Sequence, residues 1–352
     1  MMDDSVKNQR IPPLYSPSWV DRLNDWVAKW PGPVWAYYLL LWLVLFGVQT
    51  TVSWIEGAVS IGSFIPAQMF LAGAISFMLA LFHYLDERAD KALQSLEPVL
   101  TLSEQRYQAY QFQLTNLPNS RAILSGVSLI LLTIISELFG EPYRLELFEA
   151  YPTSATLLKI VYFAGWFVLG NFIYHTIHHL GLINRIYTRH TRINLFRLSQ
   201  LYAFSNLSAI TAASLAILAY GWMAVNPEIS RSDPVVLAWM LGITLFALAT
   251  FFWPQLGIHR IQVQEKERLI QESNRLYQQV AADLHTMIDE KELAEIGNIN
   301  VAIVTLEMEQ ANLKKIATWP WDPESLRLLV TALAFPLGIW LLQYILQSLL
   351  SS

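Results

Sequence analysis

The sequence predicts an all-α polytopic integral membrane protein, and three observations carry that prediction. Seven apolar segments reach the roughly 20 residues a helix needs to cross hydrocarbon. The basic residues gather on one side of those segments, as the charge bias of membrane topology requires. The longer connecting stretches have three-to-four apolar spacing, which is helical, and no run of alternating strand pattern.

Residues 1–33 come first and are too polar for a secretory leader. Trp19, Leu23, Trp26 and Trp30 recur at i, i+4, i+7 and i+11, with Pro17 before the run and Pro31 ending it. A tryptophan-rich face of this kind is expected to lie in the headgroup layer, making Trp19, Trp26 and Trp30 interfacial anchors.

The expected spans are Val34–Trp54, Ile61–Phe82, Ala122–Phe139, Thr156–Tyr174, Leu207–Val225, Pro234–Trp253 and Leu328–Leu350. Ser125, Ser128, Thr133 and Ser136 dilute the third, so a six-span version stays open. With the N-terminus inside, twenty of the 23 Lys and Arg residues face the cytosol, and only Arg144, Lys159 and Arg231 face out. Seven spans then put the C-terminus outside. The membrane implied is a prokaryotic inner or plasma membrane.

Spans 1–2 occupy 34–85, spans 3–4 occupy 122–180 and spans 5–6 occupy 206–254. The cytosolic helical loops fall at 86–121 and 181–205, with Pro98 breaking the first into two helices. A helical hairpin is expected at 255–318. Its first arm carries Leu269, Leu276, Val280, Leu284 and Met287; its second carries Ile296, Ile299, Ile303, Leu306 and Leu313. An antiparallel, coiled-coil-like hairpin can bury the two stripes against each other. Ser273, Asn300 and Gln310 interrupt them, which favours packing on the other cytosolic loops or on a neighbouring subunit over a long self-sufficient coiled coil. The elbow and span 7 complete the chain at 319–352, where Trp319 and Trp321 suit the interface, Asp322 a helix cap and Pro323 a first turn.

The absence of cysteine excludes disulfides, thiolate nucleophiles and cysteine-held metal clusters. A net charge of −5 and the lack of a basic patch with interleaved aromatics give no reason to expect nucleic acid. There is no nucleophile elbow, phosphate-binding loop or HExxH motif, so no catalytic residue is assigned.

Two polar features stand out. Asn171, His175 and His179 form a stripe on the fourth span, suited to interhelical hydrogen bonds. A metal on His175 and His179 with His83 is conceivable there, but the expectation is no metal and no cofactor. The last span carries Thr331, Gln343 and Gln347, with Pro336 and Gly338 near its middle as a hinge. Amides in hydrocarbon must face protein, a symmetry axis or water, so Thr331, Gln343 and Gln347 are candidate pore-lining or oligomer-facing groups.

Several phrases, among them Leu114–Pro118, Ile193–Arg197, Leu201–Ser205, Gly257–Arg260, Glu265–Leu269 and Trp319–Arg327, together resemble an uncharacterised family of prokaryotic polytopic membrane proteins. The resemblance implies the same membrane architecture and brings no activity. The topology alone resembles the insect chemoreceptor class of seven-helix ion channels. That likeness implies a final helix lining a tetrameric pore and cytosolic helices joining the subunits.

The function expected is therefore non-enzymatic: a homo-oligomeric passive ion channel or a membrane scaffold. The alternatives are a receptor or adaptor that binds a soluble partner through the hairpin, and a metal-dependent membrane enzyme using the histidine cluster.

Overall fold

Apolar helices separated by polar turns, several of them started by a proline, make up the architecture. The computed structural model describes residues 14–138, 150–191, 203–226, 234–290, 296–319, 323–332 and 334. Among them there are helices and turns but no strand, only two isolated bridges, Pro17 to Pro118 and Leu100 to Thr191.

Helix α1 (Trp19–Ala28) opens with a capping box: Asp21 N–H donates to Ser18 Oγ, and Ser18 N–H donates to the Asp21 carboxylate. Helix α2 (Val34–Glu56) starts after Pro33 and stops where Gly57 takes a φ of +78°, open to a residue without Cβ. Helix α3 (Pro66–Leu96) begins with Pro66 in its first turn. The expected second span began at Ile61, but residues 61–65 are a turn and an extended entry rather than helix.

Helix α3 has 31 residues, about 46 Å of rise against a hydrocarbon layer of about 30 Å, so it continues well past the apolar stretch. A short 3-10 turn at Glu97–Val99, around Pro98, separates it from α4 (Glu104–Thr115). Next come α5 (Asn119–Glu137) and the 39-residue α6 (Pro152–His190). After α7 (Ala203–Val225) come the 57-residue α8 (Pro234–Glu290) and α9 (Ile296–Lys315). Residues 323–332 are helical.

Six of these helices are long and apolar enough to cross a membrane: α2, α3, α5, α6, α7 and α8. That is the make-up of a multi-pass membrane protein. The surface agrees with it. Leu40, Leu43, Leu124, Leu131 and Ile135 point outward, whereas Gln49, Ser53, Gln68, Ser76, Ser208, Thr211 and Ser214 are buried between helices. A water-soluble bundle would expose contiguous apolar faces of that kind only at a cost.

Helix α3 is the hub and packs on α2, α6 and α7, while α6 also receives α5 and α8, and α7 packs on α8. The α5–α6 contact is backbone-close. A Cβ on Gly170 would stand 2.6 Å from Ser125 O and 2.9 Å from Gly126 Cα. A Cβ on Gly126 would stand 2.4 Å from the Phe167 ring. Small residues at a helix crossing allow this approach where no hydrophobic driving force separates helix from lipid.

A dense, fully buried core lies at one end of the bundle. There Phe82, Leu85, Leu93 and Leu96 of α3 meet Phe172, Ile183, Ile186 and Tyr187 of α6, with Leu114 and Leu117 closing over them. Helix α9 packs on α8 of the same chain and makes no comparable contact with another described element.

Candidate functional site: a buried Asp–His–His cluster

Positions four apart on a helix share a face, so Asn171, His175 and His179 stack along one side of α6. All three are buried. The structure gives each a partner from a different part of the chain. Asn171 Oδ1 accepts from Trp19 Nε1 at 3.2 Å, and its Nδ2 donates to Phe167 O at 2.7 Å. His175 Nε2 lies 2.8 Å from Asp86 Oδ1, and His179 Nε2 lies 3.5 Å from the same oxygen. His179 Nε2 also meets Leu114 O at 2.6 Å.

Neighbouring His178 reaches Gln113 O at 3.1 Å. Gln113 and Leu114 belong to the last turn of α4, whose carbonyls have no intrahelical donor. Two imidazole N–H groups from α6 therefore supply what the end of α4 lacks. This ties α3, α4 and α6 together at the dense end of the core.

The cluster is well enclosed. The His175 and His179 side chains are 2% and 6% exposed, and Asp86 is 14% exposed. Phe82 sits edge-on to the His175 ring at 4.9 Å, and the two imidazoles are 3.9 Å apart between centroids. His175 Nδ1 is buried with no hydrogen-bond partner. In a site with so little water, the 2.8 Å hydrogen bond between His175 and Asp86 is stronger than an exposed one.

Asp86 is the residue that sequence reasoning missed. It stood as the first residue of a cytosolic loop, whereas it lies inside α3 with its carboxyl turned to α6. A signal existed: Phe82, Asp86, Ala89 and Leu93 keep a four–three–four spacing, so the carboxylate falls on the buried stripe. The metal arrangement through His83 is also corrected. The groups whose ligand atoms converge within 4.8 Å of one another are Asp86, His175 and His179, and His83 is not among them.

Helix α1 departs from its expected pose. Trp26 and Trp30 are exposed, whereas the Trp19 indole turns inward to Asn171 and packs on Phe167 at 5.7 Å. The buried face of α1 is Val20, Asp21, Asn24 and Val27. Asp21 Oδ2 accepts Leu117 N–H at 2.8 Å, and Asn24 Oδ1 accepts Tyr38 Oη–H at 2.9 Å. Burial pushes the Asp21 carboxyl above the ordinary aspartate value, against the backbone N–H donors of Leu117 and Ser18 that pull it down.

The elbow residue Trp319 stacks on His259 of α8, 3.9 Å between centroids and 9° between planes. His259 Nδ1 lies 2.9 Å from Thr318 O, and Lys266 Nζ donates to Lys314 O and Ile316 O, both at 2.8 Å. Thr331 is exposed. Trp321, Pro336, Gly338, Gln343 and Gln347 lie outside the described residues.

A separate apolar cavity of about 150 Å³ opens between α3, α5, α6, α7 and α8, lined by Tyr162, Trp166, Trp222 and Trp239 with Glu137 at its edge. Among the described residues, it brings no second polar cluster to the cavity wall.

No family model matches the chain, no curated protein matches it, and no solved structure matches its fold.

Proposed function

We propose that this is a seven-span protein of a prokaryotic plasma membrane, with its N-terminus in the cytosol and its C-terminus outside. Its work is non-enzymatic: it assembles with copies of itself as a membrane scaffold or passive channel, and the α8–α9 hairpin is the assembly element.

One observation carries the proposal. Helix α9 buries Leu313 against α8 yet leaves Val301, Val304 and Met308 exposed at 65%, 46% and 62%. These three have an i, i+3, i+7 spacing and form one apolar stripe on a helix without apolar membrane length. Apolar area in water favours burial at about 25 cal/mol per Å². Among the described elements of one chain α9 packs chiefly on α8, so a neighbouring copy is the surface we assign to cover the stripe. The polar groups at the dense end of the bundle serve as ties between helices, which suits a rigid scaffold.

The test is the mass of the full chain in nanodiscs by light scattering, for wild type and for Val304→Glu with Met308→Glu. A discrete oligomer that the double variant converts to monomer, at unchanged helicity, supports assembly through the hairpin. A wild-type monomer overturns it and points to an adaptor whose hairpin receives a soluble partner. Conductance in planar bilayers that changes with Gln343→Leu or Gln347→Leu assigns the channel; silence from a well-formed oligomer assigns the scaffold.

A further inference from the structure

We propose that Asp86, His175 and His179 form a binding site for one divalent transition-metal ion, joining α3 to α6. The site stands apart from the scaffold reading and survives its failure.

Geometry is the first support. Metal–nitrogen and metal–oxygen bonds of about 2.0–2.2 Å in a tetrahedral site place neighbouring ligand atoms about 3.3 Å apart. Asp86 Oδ1 stands 2.8 Å from one Nε2 and 3.5 Å from the other, which brackets that spacing. All three ligand atoms lie within 4.8 Å of one another, close enough for one ion to reach them after side-chain adjustment. Two histidines at i and i+4 on one helix face are well placed to bind a metal together, because one turn brings both rings to the same side.

Donor chemistry is the second. Two neutral imidazoles and one carboxylate suit zinc, iron(II), cobalt(II) or manganese(II), whereas calcium and magnesium require sets of oxygen ligands. Three protein ligands leave a fourth position for water. The ion would also offset the buried carboxylate, which otherwise faces only neutral or titratable partners. Access is from the side of Asp86, the most exposed member of the trio.

Binding has a defined proton consequence. In the metal-free cluster His179 Nε2–H donates to Leu114 O, and that nitrogen must give up its proton to ligate. The ring is neutral, so that proton moves to Nδ1, and the Leu114 carbonyl would turn to another donor, such as a water on the ion. The proton shared by His175 Nε2 and Asp86 Oδ1 must likewise pass to His175 Nδ1 or, if carried by the carboxyl, leave to solvent. His175 Nδ1 has no hydrogen-bond acceptor to strengthen the ring as a donor. His175 is thus the weakest of the three ligands.

The experiment uses the full chain in nanodiscs, stripped with a chelator and titrated with cobalt(II), read by visible ligand-field bands and by metal content per chain. The expected result is one equivalent bound, with affinity lowered at least ten-fold in Asp86→Asn and His179→Gln and less in His175→Gln. His178→Gln and His83→Gln keep wild-type binding. Should a site variant fail to fold, X-ray absorption on the zinc-loaded wild type decides: two imidazoles and a carboxylate in the first shell support the site. Folded wild type that takes up no cobalt(II), or site variants that bind as wild type does, reduce the cluster to a hydrogen-bonded clamp and overturn the proposal.

Discussion

Asp21 on α1 accepts the backbone N–H of Leu117, 96 positions later in the chain, at 2.8 Å. Through that bond the N-terminal helix is fastened to the turn between α4 and α5, next to the Pro17–Pro118 bridge and the Tyr15 Oη–H bond to Asn116 O at 2.7 Å.

The same carboxyl makes stability depend on pH. The folded-state pKa of Asp21 stands above its unfolded value, so the fold prefers the neutral carboxyl. Stability contributed by this group is full below the ordinary aspartate range and is lost as pH rises through the folded value. Asp21→Asn keeps an acceptor for Leu117 and removes the charge. Its unfolding temperature in nanodiscs should be flatter than wild type across that acidic window and equal or higher at neutral pH. Asp21→Ala strands the buried Leu117 N–H and should cost about 1–3 kcal/mol. Parallel wild-type and Asn profiles would refute the titration.

Glu56, the last residue of α2, caps the start of α6: its two carboxylate oxygens accept Thr153 and Ser154 N–H at 2.8 and 2.7 Å. An acidic group at a helix N-terminus satisfies orphan donors and complements the dipole. Glu56→Ala should speed hydrogen exchange at the Thr153 and Ser154 amides while leaving the centre of α6 unchanged. Equal exchange in both proteins would show the cap to be dispensable.

The α5–α6 crossing should tolerate no side chain at Gly170. A Cβ there meets Ser125 O at 2.6 Å, and backbone cannot swing aside as a side chain can. Gly170→Ala is expected to destabilise by about 1–3 kcal/mol through overpacking. Gly181→Ala on the same helix, where nothing lies within 4 Å of the new Cβ, should be neutral or stabilising. Chemical denaturation of both variants in mixed micelles measures the contrast.

Much of the fold was legible because its signals are local. The apolar runs, Pro66 and Pro152 at helix starts and Pro98 at a break each act over a few residues. Even α5, whose serines weaken its hydropathy, forms a 19-residue helix, and Ser125 and Ser136 satisfy their hydroxyls by donating to a backbone carbonyl three residues back. The site was legible by half. His175 and His179 share a helix face by arithmetic, but their partner Asp86 lies 89 positions away from His175, and no periodicity pairs the two. Trp19 misled for a related reason. A tryptophan stripe reads as headgroup-facing until a buried amide such as Asn171 supplies an acceptor for the indole. The inward pose of Asp21 and Asn24 likewise depends on Leu117 and Tyr38, which only the tertiary fold brings near.

Lys266 closes the far end of α9 by donating to the carbonyl of Lys314 in its last turn and to that of Ile316 just beyond it. Lys266→Met keeps the aliphatic stem and removes the donors. Limited proteolysis should then cut within 314–318 sooner than in wild type, with the rest of the cleavage pattern unchanged. Identical cleavage rates would assign the hold on this segment to the His259–Trp319 stack.

The length of α8 has a mechanical consequence. Its 57 residues rise about 85 Å as one rod, and the part beyond Pro254 is about 54 Å long. Pro254 leaves the carbonyl one turn earlier without its helical donor, which makes that level the natural pivot. A swing of about 5° there displaces the rod's far tip by about 5 Å, close to one helical turn. A small tilt at that level would thus become a displacement large enough to change which side chains meet at the tip, the geometry of a lever with a built-in gain.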